Sequence, residues 1–208
     1  MVRGFNLDGT LYFLWVRFAK KSLAIPHISV PDMRKIDPCQ LKEWGFEGAI
    51  FDKDSTLTPP DVNELYPVLT TAFSGYKEVF KDKMAILSDS AGTRDDSNYE
   101  AAQQIERNMG IAVLRHDRKK PRGGIESVLD YFGCDPAKLF IIGDRIFTDV
   151  VFGNRYGLLT IHTSIISEEG ENKAASLVRR YESSLINKWK SKGICAPVHP
   201  LYCKNVLI

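Results

Sequence analysis

Five short apolar runs, each followed by a stretch of helical periodicity, constrain this chain more than any other feature. The runs are Gly48–Asp52, Met84–Ser88, Ile111–Leu114, Leu139–Gly143 and Leu158–His162. Each is too short for a buried helix and reads as a buried strand. Helical patterns follow at Glu64–Phe80, Ser97–Met109, Gly124–Phe132 and, more briefly, Thr148–Tyr156. Strand and helix in alternation predict an α/β fold, with a central parallel sheet between two helical layers. The core is expected over residues 45–165. A lead-in with an amphipathic helix precedes it (1–44), and a second amphipathic helix and a tail follow it (166–208). Sheets of this kind bind ligands beyond the carboxyl ends of their strands. Those ends are where chemistry is sought.

Composition narrows the classes. The 208 residues suit one domain with extensions. A net charge of +2 gives no bulk reason to expect nucleic acid. Cys39, Cys134, Cys195 and Cys203 show no C-x-x-C spacing, which points to a reducing compartment and away from zinc. No uncharged apolar run reaches eighteen residues, so no membrane-spanning helix is predicted.

Four strand ends carry groups that phosphoryl transfer needs. The first gives Asp52 and Asp54, two residues apart; in extended backbone their side chains point the same way. The second gives Ser88-Asp89-Ser90-Ala91-Gly92, with hydroxyls and loop amides suited to phosphate oxygens. After the third comes the cationic run Arg118-Lys119-Lys120-Pro121-Arg122. The fourth gives Gly143-Asp144-Arg145-Ile146-Phe147-Thr148-Asp149. Phosphoryl transfer is mostly positioning and charge neutralisation, so nucleophile, proton carrier, hydroxyl, cation and metal-holding acid are all present. Asp149 also reads as a helix N-cap or first-turn acid. Arg122 and Arg145 read either as holders of a second phosphate or lipid headgroup, or as solvated surface.

Together these segments resemble the four motifs of the haloacid-dehalogenase-like phosphohydrolases, over about residues 46–163. Within that superfamily the chain is similar to the mitochondrial-type phosphatidylglycerophosphate phosphatases. The similarity lies in Phe51-Asp52-Lys53-Asp54-Ser55-Thr56-Leu57-Thr58, Ser88–Gly92, Lys120-Pro121, Gly143–Val150 and the lead-in Pro26–Asp37. The resemblance implies Asp52 as nucleophile and Asp54 as proton donor, then acceptor. It implies Thr56 as a loop anchor, Ser88 and its neighbours Asp89 and Ser90 beside the phosphoryl group, and Lys120 as the neutralising cation. Lys119 is the alternative cation; its place before Pro121 favours Lys120. Mg²⁺ is implied on Asp52, the Asp54 backbone carbonyl and Asp144, with Asp149 orienting waters or Lys120. All-oxygen ligands suit magnesium better than zinc. Two positions depart from the pattern: Ser55 and Asp89 stand where relatives often have Asn. An added charge at Asp89 either weakens anion binding or points away. A second, imitative stretch at Asn6–Thr10 has an amide in the nucleophile's place and reads as chance.

Leu7, Leu11, Leu14, Trp15 and Phe18 form one helical stripe followed by Lys20 and Lys21. Leu177, Tyr181, Leu185 and Trp189 form another among basic residues. Both suit a membrane interface, or docking on the protein's own core or a partner. The gaps from Thr58 to Ser88 and from Ser88 to Lys120 leave no room for an inserted cap domain, so an open site is expected. The expected function is Mg²⁺-dependent hydrolysis of phosphatidylglycerophosphate through an aspartyl-phosphate, at the matrix side of the inner mitochondrial membrane as the resemblance implies. The alternatives are a soluble phosphate ester as substrate, or a structural subunit of a membrane assembly.

Overall fold

The computed structural model describes residues 13, 15–167 and 173–202. Among them, six strands form one sheet in the order β1-β6-β5-β2-β3-β4. They are β1 Ile28–Val30, β2 Gly48–Phe51, β3 Met84–Ile86, β4 Ala112–Val113, β5 Leu139–Gly143 and β6 Leu159–Thr163. Every neighbouring pair is parallel. The fold is the α/β sandwich that the alternation predicts. β2 lies centrally, between β3 and β5, so the residue that leaves its end enters a crevice with strands on both sides.

β1 is the strand the sequence did not disclose. It lies in the lead-in and pairs with β6, Ile28 opposite Ile161 and Val30 opposite Thr163. Three residues bracketed by Pro26 and Pro31 are too few to show a period, and only Ile28 is buried. The sheet therefore reaches back before residue 45.

The helices are α1 Pro38–Glu43, α2 Thr70–Phe80, α3 Glu100–Met109, α4 Ile125–Phe132, α5 Val151–Tyr156 and α6 Lys173–Lys190. α2 starts six residues later than its apolar pattern suggests. Pro67 holds Tyr66 extended, and a 3₁₀ turn over Pro67–Leu69 intervenes. α3 starts late because Asn98 and Tyr99 are left-handed, at φ 51° and 57°.

Alternate strand residues feed two cores. Ala49, Phe51, Ile86 and Phe140 pack with Tyr76 and Phe80 of α2 and Ile105 of α3. Ile50, Ala85 and Ile141 pack with Val128 and Phe132 of α4 and Phe152 of α5. Each such side chain contributes roughly 1.5–3 kcal/mol by leaving water. A third cluster joins the two ends of the chain: Val16 and Ile25 meet Ile146, Phe147 and Val150, with Ile186 and Trp189 of α6. The ends thus close over the segment that carries the fourth acidic motif.

Candidate active site

The loop after β2 is built around one carbonyl. Lys53 O accepts from the backbone N–H of Thr56, Leu57 and Thr58 at 3.3, 2.9 and 3.1 Å, and Ser55 N–H donates to Thr58 O at 2.7 Å. Ser55 turns left-handed at φ 64°. Asn tolerates that region better than Ser. Asp52 N–H donates to Ile142 O at 2.8 Å, fixing Asp52 against β5. Lys53 is buried, with Nζ 2.7 Å from Asp54 Oδ1. Ser90 Oγ donates to Asp54 Oδ2. Asp54 is therefore held from two sides, and Lys53 is a site residue that the motif reading passed over.

Lys120 is the centre of the cluster. Its Nζ lies 2.7 Å from Asp52 Oδ1, 2.5 Å from Asp149 Oδ1 and 2.7 Å from Leu87 O. Three donors meet three acceptors. Lys119 instead pairs with Asp95 at 2.7 Å, so of the two lysines it is Lys120 that reaches the carboxylates. Asp89 Oδ1 accepts from Lys120 N–H at 2.9 Å. Its charge is thus turned to the backbone of Lys120. Ser88 is fully buried; its Oγ lies 3.0 Å from Ser90 Oγ and accepts from Ser90 N–H at 3.1 Å. His116 braces the two loops, with Nε2 2.9 Å from Ser88 O and Nδ1 2.8 Å from Arg118 O. Arg122 is exposed.

The fourth motif is re-aimed by a π-helical turn over Ile146–Val150, a feature common at functional sites. It folds Asp149 back beneath the end of β5. A Cβ on Gly143 would stand 2.5 Å from Asp149 Cγ, so only glycine fits there. Asp149 Oδ2 accepts from Arg145 N–H at 3.1 Å. Asp149 is thus a buried partner of Lys120 rather than an exposed cap. Thr56 Oγ1 donates to Asp144 Oδ1 at 3.4 Å, linking first and fourth motifs.

Asp52, Asp144 and Asp149 each present a carboxylate oxygen within 4.8 Å of the others, and all three residues are buried. Among the described residues this is the cluster able to hold a metal. An all-oxygen donor set fits a hard cation such as Mg²⁺. Burial pushes the Asp52 carboxyl up to about 6, with Asp149 adding to it and Lys120 opposing. Burial disfavours charge on Lys120 too, but the Asp149 and Asp52 carboxylates outweigh it and raise its pKa, so it stays protonated.

α6 brings a residue that the sequence did not assign. Arg179 Nη1 donates to Asp144 Oδ2, and Nη2 lies 3.5 Å from Ser55 Oγ. Glu182, one turn on, is buried; burial lifts its carboxyl to about 7 against the pull of Arg145 and Arg179. No cap is inserted between the motifs, yet this helix reaches the site from one side. The basic residues of its amphipathic pattern gave the only sequence signal, and that signal pointed outward.

The two terminal stripes divide. Phe13 meets Phe147 edge-on at 4.8 Å and Val16 is fully buried. Trp15 and Phe18 remain 43% and 74% exposed. On α6, Trp189 is buried, while Leu177 and Tyr181 are 70% and 49% exposed. Arg17 donates to Tyr181 Oη, so the exposed portions adjoin. Leu7, Leu11, Leu14 and the Asn6–Thr10 stretch lie outside the described residues. No helix among the described residues is long and apolar enough to cross a membrane.

Comparison with known proteins identifies the family. A family model described as mitochondrial PGP phosphatase matches residues 7–167. The chain is 39% identical over 200 residues to the chloroplastic phosphatidylglycerophosphate phosphatase 1 of Chlamydomonas reinhardtii, covering 96% of this chain and 74% of that protein. It is 41% identical over 197 residues to the chloroplastic/mitochondrial phosphatidylglycerophosphate phosphatase 1 of Arabidopsis thaliana, covering 94% of this chain and 57% of the relative. A mitochondrial phosphatidylglycerophosphatase of Saccharomyces cerevisiae is 28% identical over 188 residues, 88% of this chain and 97% of that one.

Proposed function

We propose that this chain, which belongs to the mitochondrial PGP phosphatase family, removes the terminal phosphate of phosphatidylglycerophosphate through an aspartyl-phosphate on Asp52. The observation that carries the reading is the buried cluster in which Lys120 bridges Asp52 and Asp149 beside Asp144.

The Asp52 carboxylate attacks phosphorus, and the bond to the ester oxygen breaks. Asp54 gives that oxygen its proton, so phosphatidylglycerol leaves neutral at the new hydroxyl. Asp54 then takes a proton from water, whose oxygen attacks the phosphorus of the aspartyl-phosphate. Inorganic phosphate leaves and Asp52 is restored. Lys53 and Ser90 hold Asp54 in one orientation for both transfers. Ser88 and Lys120 offer a hydroxyl and an ammonium to the equatorial oxygens. Asp52 and Asp144, with the Asp54 backbone carbonyl, would hold Mg²⁺, and Asp149 would orient Lys120. When bound, that ion neutralises charge on the phosphoryl group.

The exposed Trp15, Phe18, Leu177, Val178 and Tyr181 support a second element of the reading. We place this face in the interface of an anionic bilayer, with Lys20 and Lys21 beside it, at the matrix side of the inner mitochondrial membrane. Each buried apolar side chain would contribute roughly 1.5–3 kcal/mol, and each cation about 1 kcal/mol.

Phosphate release from phosphatidylglycerophosphate in anionic vesicles with Mg²⁺ is the test. Release is expected from wild type and not from Asp52→Asn. Faster turnover of a soluble phosphate ester would overturn the lipid assignment. No turnover of any ester by folded protein would overturn the enzyme.

A further inference from the structure

We propose that Arg179 and the divalent cation compete for Asp144, and that the displaced guanidinium then binds the phosphomonoester dianion. The inference rests on the reading of Asp52, Asp144 and the Asp54 backbone carbonyl as a magnesium site.

The geometry sets up the competition. Arg179 Nη1 donates directly to Asp144 Oδ2. Asp144 has its side chain fully buried, so no bulk water lies between the two cations to screen them. A doubly charged ion on the same carboxylate would repel the guanidinium strongly at this burial.

The route out is short. Glu182 lies three residues along α6, on the adjoining turn of the same helix, and is electrostatically coupled to Arg179. Its carboxyl is the alternative partner for the guanidinium. Arg179 also lines an open groove of about 580 Å³ with Ser176, Arg180 and Ile165. A guanidinium standing there presents a fork of donors that matches two phosphate oxygens. α6 therefore does two jobs in sequence: it occupies the metal acid, then offers its cation to the substrate once the metal is seated.

The test measures Mg²⁺ binding by calorimetry on the full chain, in wild type, Arg179→Gln and Arg179→Lys. Removing a competitor that holds Asp144 most of the time is expected to tighten Mg²⁺ about tenfold in Arg179→Gln. Arg179→Lys is expected to stay near wild type. KM for the phosphomonoester should rise in Arg179→Gln while Mg²⁺ affinity improves, a divergence that a merely structural role would not produce. Hydrogen exchange in wild type gives a second readout: backbone amides of residues 173–190 should exchange faster on saturation with Mg²⁺. Mg²⁺ affinity that is unchanged or weaker in folded Arg179→Gln overturns the inference. Where that variant does not fold, exchange in α6 that Mg²⁺ leaves unaltered in wild type overturns it equally. Failure of wild type to bind Mg²⁺ at all would instead refute the metal reading beneath it.

Discussion

Replacing Asp52 should make this protein more stable. Asp52 is 6% exposed, and its carboxyl is raised from an ordinary 3.8 to about 6, by burial first and by Asp149 second. Between those two values the folded state keeps a proton that the unfolded chain has lost. The unfolding free energy therefore falls as pH rises from 3.8 to 6, and stays lowered above. About two pKa units at 1.36 kcal/mol each give a penalty of roughly 3 kcal/mol at pH 7.5. Asn has the shape of the protonated acid and carries no charge, and Lys120 keeps its 2.5 Å contact with Asp149. Urea denaturation with a chelator present measures the effect. Asp52→Asn should match wild type near pH 4 and exceed it by about 3 kcal/mol at pH 7.5. Saturating Mg²⁺ should narrow the difference, since ligand at a hundred times its Kd stabilises a binding-competent protein by about 2.7 kcal/mol. Parallel pH profiles for the two proteins, or a less stable mutant at pH 7.5, would refute the argument. The same mutant should lose activity by at least about four orders of magnitude.

Other substitutions probe the supports of the site. Gly143→Ala puts a methyl group 2.5 Å from Asp149 Cγ; the overpacking should cost about 1–3 kcal/mol in denaturant and lower kcat roughly a hundredfold as Asp149 shifts. Ser55→Asn relieves a residue at φ 64° and should raise the unfolding free energy by about 0.5–1 kcal/mol in denaturant. His27, just before β1, ties the chain to β6 and to the C-terminal segment, with Nδ1 2.8 Å from Thr160 Oγ1 and Nε2 3.0 Å from Pro197 O. Burial, and then His199, lower its pKa from 6.5 to about 4. Its contribution is full above pH 6.5 and is lost as pH falls toward 4, so roughly 2 kcal/mol should disappear by pH 5. His27→Gln should remove that share of the acid loss; an unaltered slope between pH 7 and 5 would count against it.

How far each feature could be read from the chain depends on how local its cause is. Asp52 and Asp54 follow an apolar run, and the run itself makes the strand that aims them, so they are legible in eight residues. Gly143 and Asp149 sit in one motif, but their contact depends on a π-helical turn that no period announces. β1 is three residues long and becomes a strand only because Leu159–Thr163 offers an edge; its cause lies 133 residues away. Asp89 could have been repelling or neutral on composition alone, and only the Lys120 amide at 2.9 Å decides. Arg179 is the furthest case. Its spacing in α6 belongs to an amphipathic pattern, and such a pattern specifies which residues share a face without naming what the face will meet. Trp189 and Ile186 dock that helix on Phe147 and Val150, which lie two residues before and one after Asp149 in the fourth motif. Packing at one end of α6 thereby delivers a cation at the other to Asp144. The clustered acids are written in motifs, while the arginine that reaches one of them is placed by a hydrophobic contact ten residues further along.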